Sequence, residues 1–377
     1  MNFDFNDHEK AFFEKISTCI QDLTDPDYRT FSDISKYQEL IKNYLKQLAT
    51  IGYFKLGIQP DNTLNGLITW MAASEIIAQK MQSFFLSMEI SSRLFGKLIA
   101  TYGSDEQKST FLPQIEKGQL INSIAFSENN VNILNNPIST KAIVMNNGDT
   151  YSISGIKPHA LNAPIADLIA VSAMLNDQLA VFLIPTESEG LTINNQGTIL
   201  AYHGVLHGSI HLDNCIVPQS SLIGPFDSNQ LLKDSKLWEN LILIASSIGM
   251  MSASFNQAKE HANTHNSSGK PIIAYQEISF KLAEMLTLLQ TSKLLALRAC
   301  WMAETKERDA QVVNQCAKVF CAESAETVAS EALKIMSDKG LFTHTLADTS
   351  YQNAKLCQIG GISTEISRMM IAESLLG

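Results

Sequence analysis

The chain has no uninterrupted apolar run near the roughly 20 residues that a membrane-spanning helix needs. Its six cysteines, Cys19, Cys215, Cys300, Cys316, Cys321 and Cys357, include no C-x-x-C pair and none at zinc-like spacing beside histidine. Scattered single cysteines in a long chain fit reduced thiols. There is no internal repeat, low-complexity tract, P-loop, G-x-S-x-G or Rossmann fingerprint. The first residues, MNFDFNDHEK, lack a basic segment followed by an apolar one, which argues against a secretory leader and for a cytoplasmic protein. Basic residues are also scarce. Lys and Arg total 28 against 38 Asp and Glu, for a net charge of -10, so the surface repels phosphate backbones and nucleic acid is excluded as a partner.

What is present is ordinary globular material: 45% hydrophobic and 18% charged over 377 residues, enough for two or three domains. Three regions differ in periodicity. Residues 1–120 read as helices. In ISKYQELIKNYLKQLATIG, Ile41, Tyr44, Leu45 and Leu48 share one face and Gly52 is the stop. GSDEQKSTFLPQIEKG opens on a Ser104 cap and closes at Gly118. Residues 121–228 switch to short β-rich runs: a hairpin around Asn-Gly-Asp in TKAIVMNNGDTYSISGIKP, then ADLIAVSAML, QLAVFLIP and GSIHLDNCIVP. Residues 229–377 return to helices, with a long one expected from Ser235 and a bundle-like seam in YQEISFKLAEMLTLLQTSKLLALRACWMAETK. The stretch AKLCQIGGISTEISRMMIA, residues 354–372, reads as the start of an amphipathic helix. The expected class is therefore α+β, mainly α: an N-terminal helical domain, a small central β-barrel-like domain and a C-terminal four-helix bundle. His203, His207 and His211 recur at spacing four, but their flanks read as strand and no metal site is expected.

Six stretches, taken in order, resemble the acyl-CoA dehydrogenase family over about residues 40–377: YGSDEQKSTFLPQIEKGQLINSIAFSE, YSISGIKP, NCIVPQSSLIG, GKPIIAYQEISFKLAEM, AKVFCAESAETVASEA and AKLCQIGGISTEISRMMIA. The resemblance implies FAD held between domains and across a subunit interface, an acyl-CoA or acyl-carrier-protein thioester as substrate, an electron-acceptor flavoprotein, and a dimer or tetramer, including one with a homologous subunit. It also implies a glutamate that takes the α-proton while the β-hydride passes to the flavin.

The chain departs from the family where that glutamate stands. Gly360 and Gly361 replace the Tyr-Glu pair of the family's Q-I-Y-E-G-T-S-E-I-Q-R, and glycine has no titratable side chain. Glu365, one helical turn on, reads as structural. Branches similar to the isovaleryl and long-chain enzymes carry the base on an earlier bundle helix, and counting back from GKPI brings that position onto Glu239, followed by Asn240 where the family has arginine. On a helix Glu239 shares a face with Ile242, Leu243, Ser246 and Met250, a partly desolvated setting that suits a base. The competing reading makes Glu239 a first-turn residue behind a Ser235 cap. In the flavin positions Ser127 keeps a hydroxyl, although the glycine loop after it is lost to NNVNILNN. His159 and Leu161 replace the tryptophan and threonine of W-x-T; alternatively, HALN is a loop with a solvent-facing histidine. His265 replaces an arginine toward the pyrophosphate, Lys334, Ser337 and Asp338 replace Q-x-x-G-G, and Ser363 retains a hydroxyl at a threonine position. These changes leave three outcomes for FAD: weak binding, an altered pose, or none. The chain reads as a divergent acyl-thioester dehydrogenase with Glu239 as base, as a non-catalytic partner subunit, or as the same fold with other acyl chemistry.

Overall fold

The structure is a computed structural model that describes residues 4–58, 66–128, 138–199, 201–227, 230–337, 339 and 345–376. The loop NNVNILNN and Asp338 lie outside the described residues. Helices α1 (Asp7–Cys19), α2 (Ile34–Thr50), α3 (Gly66–Lys80), α4 (Gln82–Glu89), α5 (Phe95–Tyr102) and α6 (Asp105–Glu116) come first. The α2 seam is buried as its spacing predicts, and Gly52 follows at φ +80°. Ser104 caps α6 in a full capping box with Gln107. Between α4 and α5 the chain makes a π turn over Ile90–Leu94, a wider turn often found at functional sites.

The middle of the chain is one eight-stranded sheet: β1 (Asn122–Ala125), β2 (Lys141–Met145), β3 (Thr150–Leu161), β4 (Leu168–Leu175), β5 (Gln178–Pro185), β6 (Leu191–Thr198), β7 (Leu206–Pro218) and β8 (Leu222–Phe226). Its order is β6-β7-β3-β2-β4-β5-β8, with β1 added in parallel on β4. The expected hairpin forms, β2 against β3, and the two β-rich runs after it pair as a second one, β4 against β5. His207 and His211 lie on β7, as the alternation there predicts.

The C-terminal helices are α7 (Gln230–Thr264), α8 (Gln276–Thr305), α9 (Ala310–Met336), α10 (Leu346–Ile359) and α11 (Thr364–Leu376). Helix α9 packs on α7, α8, α10 and α11, its small residues Ala317, Ala325, Ala329 and Ala332 fully buried, which lets the helices approach closely. Helix α7 is long and apolar enough to cross a membrane, yet 83% of its most apolar window is buried inside the protein, so it serves as a core helix.

Two sequence expectations fail. Helix α7 starts at Gln230, five residues before Ser235, whose hydroxyl donates to Leu231 O inside the helix. Ser235 is therefore no cap, and Glu239 is not in the first turn. The stretch 354–372 is not a helix start either. It holds the end of α10, a turn at Gly360–Gly361 with Gly361 at φ +68°, and the beginning of α11. Gly361 favours the break, because it adopts a left-handed backbone conformation that side chains disfavour, while Gly360 is extended.

Candidate functional site

A cavity of about 460 Å³ lies where the first helices, the sheet and the bundle meet. The π turn contributes Ile90 and Leu94, and the end of β1 contributes Ile124, Phe126 and Ser127. His159 and Leu161 come from β3 and His207 from β7. Helix α7 supplies Ser235, Lys236 and Glu239; the end of α10 and the turn after it supply Leu356, Ile359, Gly360 and Gly361. The sequence-predicted Glu239, Ser127, His159 and Leu161 are thus brought to one space. His265 and Ser363 are not among its lining residues. His265 lies just past the end of α7, stacked on His261 at 4.9 Å, and Ser363 accepts a bond from Ile366 N ahead of α11. Glu365 is exposed in the first turn of α11.

The sheet wall is held by a buried ion pair. Lys157 Nζ lies 2.7 Å from Glu128 Oε1, and Glu128 also receives Thr140 N, Thr140 Oγ1, Ser139 N and the Ser139 hydroxyl. Burial works against the Glu128 charge, but Lys157, Ser139 and Thr140 outweigh it and hold the carboxyl at about 2. This cluster fixes the chain on either side of it, at Ser127 and at His159. Asn162, at φ +66°, ties the end of β3 to the helical side: its Nδ2 donates to Ser87 O at 2.7 Å, and its Oδ1 accepts from Ser87 Oγ at 2.7 Å. Asn122 does the same from β1, donating to Ser91 O at 2.9 Å. The π turn is thereby bolted to the sheet, and Ile90 and Leu94 are aimed into the cavity.

The register of β3 and β7 shifts between Lys157 and Ala160. The bulge places His159 beside His207, with 2.9 Å between Nδ1 and Nε2 and stacked rings 5.1 Å apart. One proton is shared across that contact. Burial, and then the neighbouring His159, push the His207 imidazole below its usual value. Ser127 makes no hydrogen bond among the described residues, so its hydroxyl is available to a ligand.

On the bundle wall Glu239 is 29% exposed and pairs with Lys236 at 2.6 Å, one turn earlier on α7. Lys236 is the only lysine or arginine among the lining residues and Glu239 the only acid. A Cβ on Gly361 would stand 3.7 Å from the Glu239 carboxyl carbon and 2.7 Å from Asn240 Oδ1. Asn240 is buried where the family has arginine. Its Oδ1 accepts from Ile362 N at 3.3 Å, and its Nδ2 donates to Asn314 Oδ1 at 3.0 Å.

Sequence reasoning missed the His159–His207 pair, the Lys236 partner and Lys318, which binds the turn after α10. The spacing K-x-x-E on a helix was a usable signal for Lys236. The histidine pair depends on a strand bulge, and Lys318 on burial; neither has a local signature.

Comparison with known proteins agrees with this architecture. Profiles of the acyl-CoA dehydrogenase N-terminal, middle and C-terminal domains match residues 6–119, 123–215 and 237–376. A probable acyl-CoA dehydrogenase of Bacillus subtilis, YngJ, is 27% identical over 82% of each chain. Benzylmalonyl-CoA dehydrogenase of Aromatoleum aromaticum is 24% identical over the full length of both. Among solved structures, butyryl-CoA dehydrogenase from Megasphaera elsdenii superposes with a TM-score of 0.88 at 22% identity over the whole of both chains. The prolyl acyl carrier protein oxidase AnaB superposes with a TM-score of 0.86 at 22% identity, over 99% of this chain and all of that one. With all three domain profiles matched in order along nearly its whole length, the chain belongs to the acyl-CoA dehydrogenase family.

Proposed function

We propose that the chain is a flavin-dependent acyl-thioester dehydrogenase in which Glu239 takes the α-proton in place of a glutamate at position 361. The observation that carries this reading is the 3.7 Å between the Glu239 carboxyl carbon and the point where a Gly361 side chain would begin. A carboxyl group from α7 reaches the space that the glycine leaves empty. The apolar lining of Ile90, Leu94, Ile124 and Leu356 suits an acyl chain, and Glu239 gives that chain one acceptor for a proton at Cα. As the C–H bond breaks, its electron pair forms the Cα=Cβ bond and a hydride leaves Cβ on the opposite face. Lys236 holds the Glu239 carboxylate in the free protein and must share it with the ligand.

Members of this family bind FAD, which supplies the hydride acceptor when bound. The sheet wall fits its ring: Leu161 and Phe126 give apolar faces, and Ser127 and the histidine pair give hydrogen-bonding groups at the edge. His265 lies 26 residues beyond Glu239, about 39 Å along α7 at ~1.5 Å per residue, so only the ring end of the dinucleotide belongs to this cavity. In this reading the remainder lies against a second copy of the chain, the electrons pass to an acceptor flavoprotein, and the thioester hangs from coenzyme A or a carrier protein.

The test is E239Q assayed on a panel of acyl-CoA and acyl-carrier thioesters with a dye acceptor. Loss of a general base lowers kcat by about 10²–10⁴-fold. A variant that keeps more than a tenth of wild-type turnover sinks the assignment. The Lys236 ion pair and the glycines at 360 and 361 favour a second reading, a non-catalytic subunit of a hetero-oligomer. A purified protein that is colourless and stays so after incubation with FAD decides for that one.

A further inference from the structure

Lys318 is fully buried on α9, and among the described residues it forms no ion pair. Its ammonium instead binds three backbone carbonyls: Cys357 O, Gly360 O at 2.9 Å and Ile362 O at 3.3 Å. These belong to the last turn of α10 and the turn after it. Carbonyls at a helix C-terminus have no partner within the helix and carry its partial negative charge, so a cation there is complementary. Gly360 N donates back to Leu356 O at 2.6 Å, and Ile362 N donates to Asn240 Oδ1 at 3.3 Å. The turn is therefore clamped from two sides, by Lys318 on α9 and by Asn240 on α7. Gly361 sits between two of the three clamped carbonyls, those of Gly360 and Ile362.

That turn is also a wall of the cavity. Gly360 and Gly361 line it, and the Gly361 Cα carries its would-be side chain toward Glu239. The turn's position sets how much room lies in front of the carboxylate. Burial pushes the Lys318 ammonium down to about 8; Cys357 on α10, Glu239 on α7 and Glu365 on α11 work the other way, and Lys236 on α7 adds to the fall. Removing the ammonium would leave these buried carbonyls without a partner, so the cost falls on the turn that Lys318 holds.

We propose that Lys318 is a positioning residue. By holding the Gly360–Ile362 turn, it fixes the cavity wall opposite Glu239 and so places the acyl α-carbon against that carboxylate. The inference rests on Glu239 being the base, and it adds a residue on a different helix that touches neither substrate nor cofactor.

The experiment uses full-length K318M, K318R and K318Q, with E239Q alongside. The readouts are steady-state kinetics on the best substrate of a straight-chain acyl-CoA panel and hydrogen exchange by mass spectrometry. In K318M, kcat falls at least tenfold while KM stays within about threefold, and exchange speeds up only in peptides covering 359–363. K318R, which restores a cation, recovers part of kcat. The inference is overturned if K318M keeps kcat within twofold, or if exchange rises along the whole of α9 and α10, which marks a general structural role. Should K318M fail to fold, K318Q keeps an N–H donor but no charge and carries the same readouts with the same limits. An active E239Q would overturn the base and leave the exchange arm to judge Lys318. A dead E239Q with an unaltered K318M would overturn only the present inference.

Discussion

Gly361 occupies a left-handed backbone conformation at φ +68°, and a methyl group there would meet Asn240 Oδ1 at 2.7 Å. G361A is expected to cost about 1–2 kcal/mol from backbone strain alone, read as a lower urea midpoint with unchanged slope. Its kcat should fall with it, because the methyl group points toward Glu239. The absence of a base at 361 was plain from the residue itself. The position of a substitute on α7 rested on counting from GKPI, and the structure puts Glu239 in the cavity. The setting of Glu239 was less legible. Its Lys236 partner sits one turn back on the same helix, a pattern the sequence displays. The Ser235 cap was a misreading, since five more residues of helix precede it.

At the scale of elements, the Lys157–Glu128 pair locks the start of the sheet wall, and its consequences depend on pH. The Glu128 carboxyl is held at about 2 when folded against an ordinary 4.5, so its contribution is complete above pH 4.5 and is lost as the pH falls from 4.5 toward 2. The shift corresponds to about 3 kcal/mol, which E128Q should remove from the acid-unfolding profile measured between pH 7 and 2. K157M strands the carboxylate in the interior and should cost about 3–5 kcal/mol at pH 7 by urea denaturation. The β2–β3 hairpin, the Ser104 capping box and the α2 seam were legible because each is written in one continuous stretch of chain. The break between α10 and α11 was misread because 354–372 keeps an amphipathic pattern through two glycines. The His159–His207 contact was hidden because a register shift across strands leaves no mark in either strand alone.

At the scale of the whole molecule, α8 leaves Phe280 and Leu294 each 59% exposed, and α11 leaves Met369 60% exposed. Apolar side chains of that size on helices that both pack against α9 are expected to be covered by a second copy. F280E with L294E should shift sedimentation velocity toward the monomer, and should loosen FAD if the dinucleotide crosses between subunits. The order helical, β, helical was readable from changes in hydrophobic period; the meeting of all three parts at one cavity was not, since it depends on side chains such as Asn122 and Asn162 that join distant segments. The chain has three tryptophans, Trp70, Trp238 and Trp301. Trp238 adjoins Glu239, lies 6.5 Å from the Tyr102 ring and has Lys97 5.7 Å over its own. The molecule thus carries a candidate optical gauge: in a W70F/W301F background, the emission of the one remaining indole is expected to shift when a ligand fills the chamber beside Glu239, read by fluorescence titration without any assay of turnover.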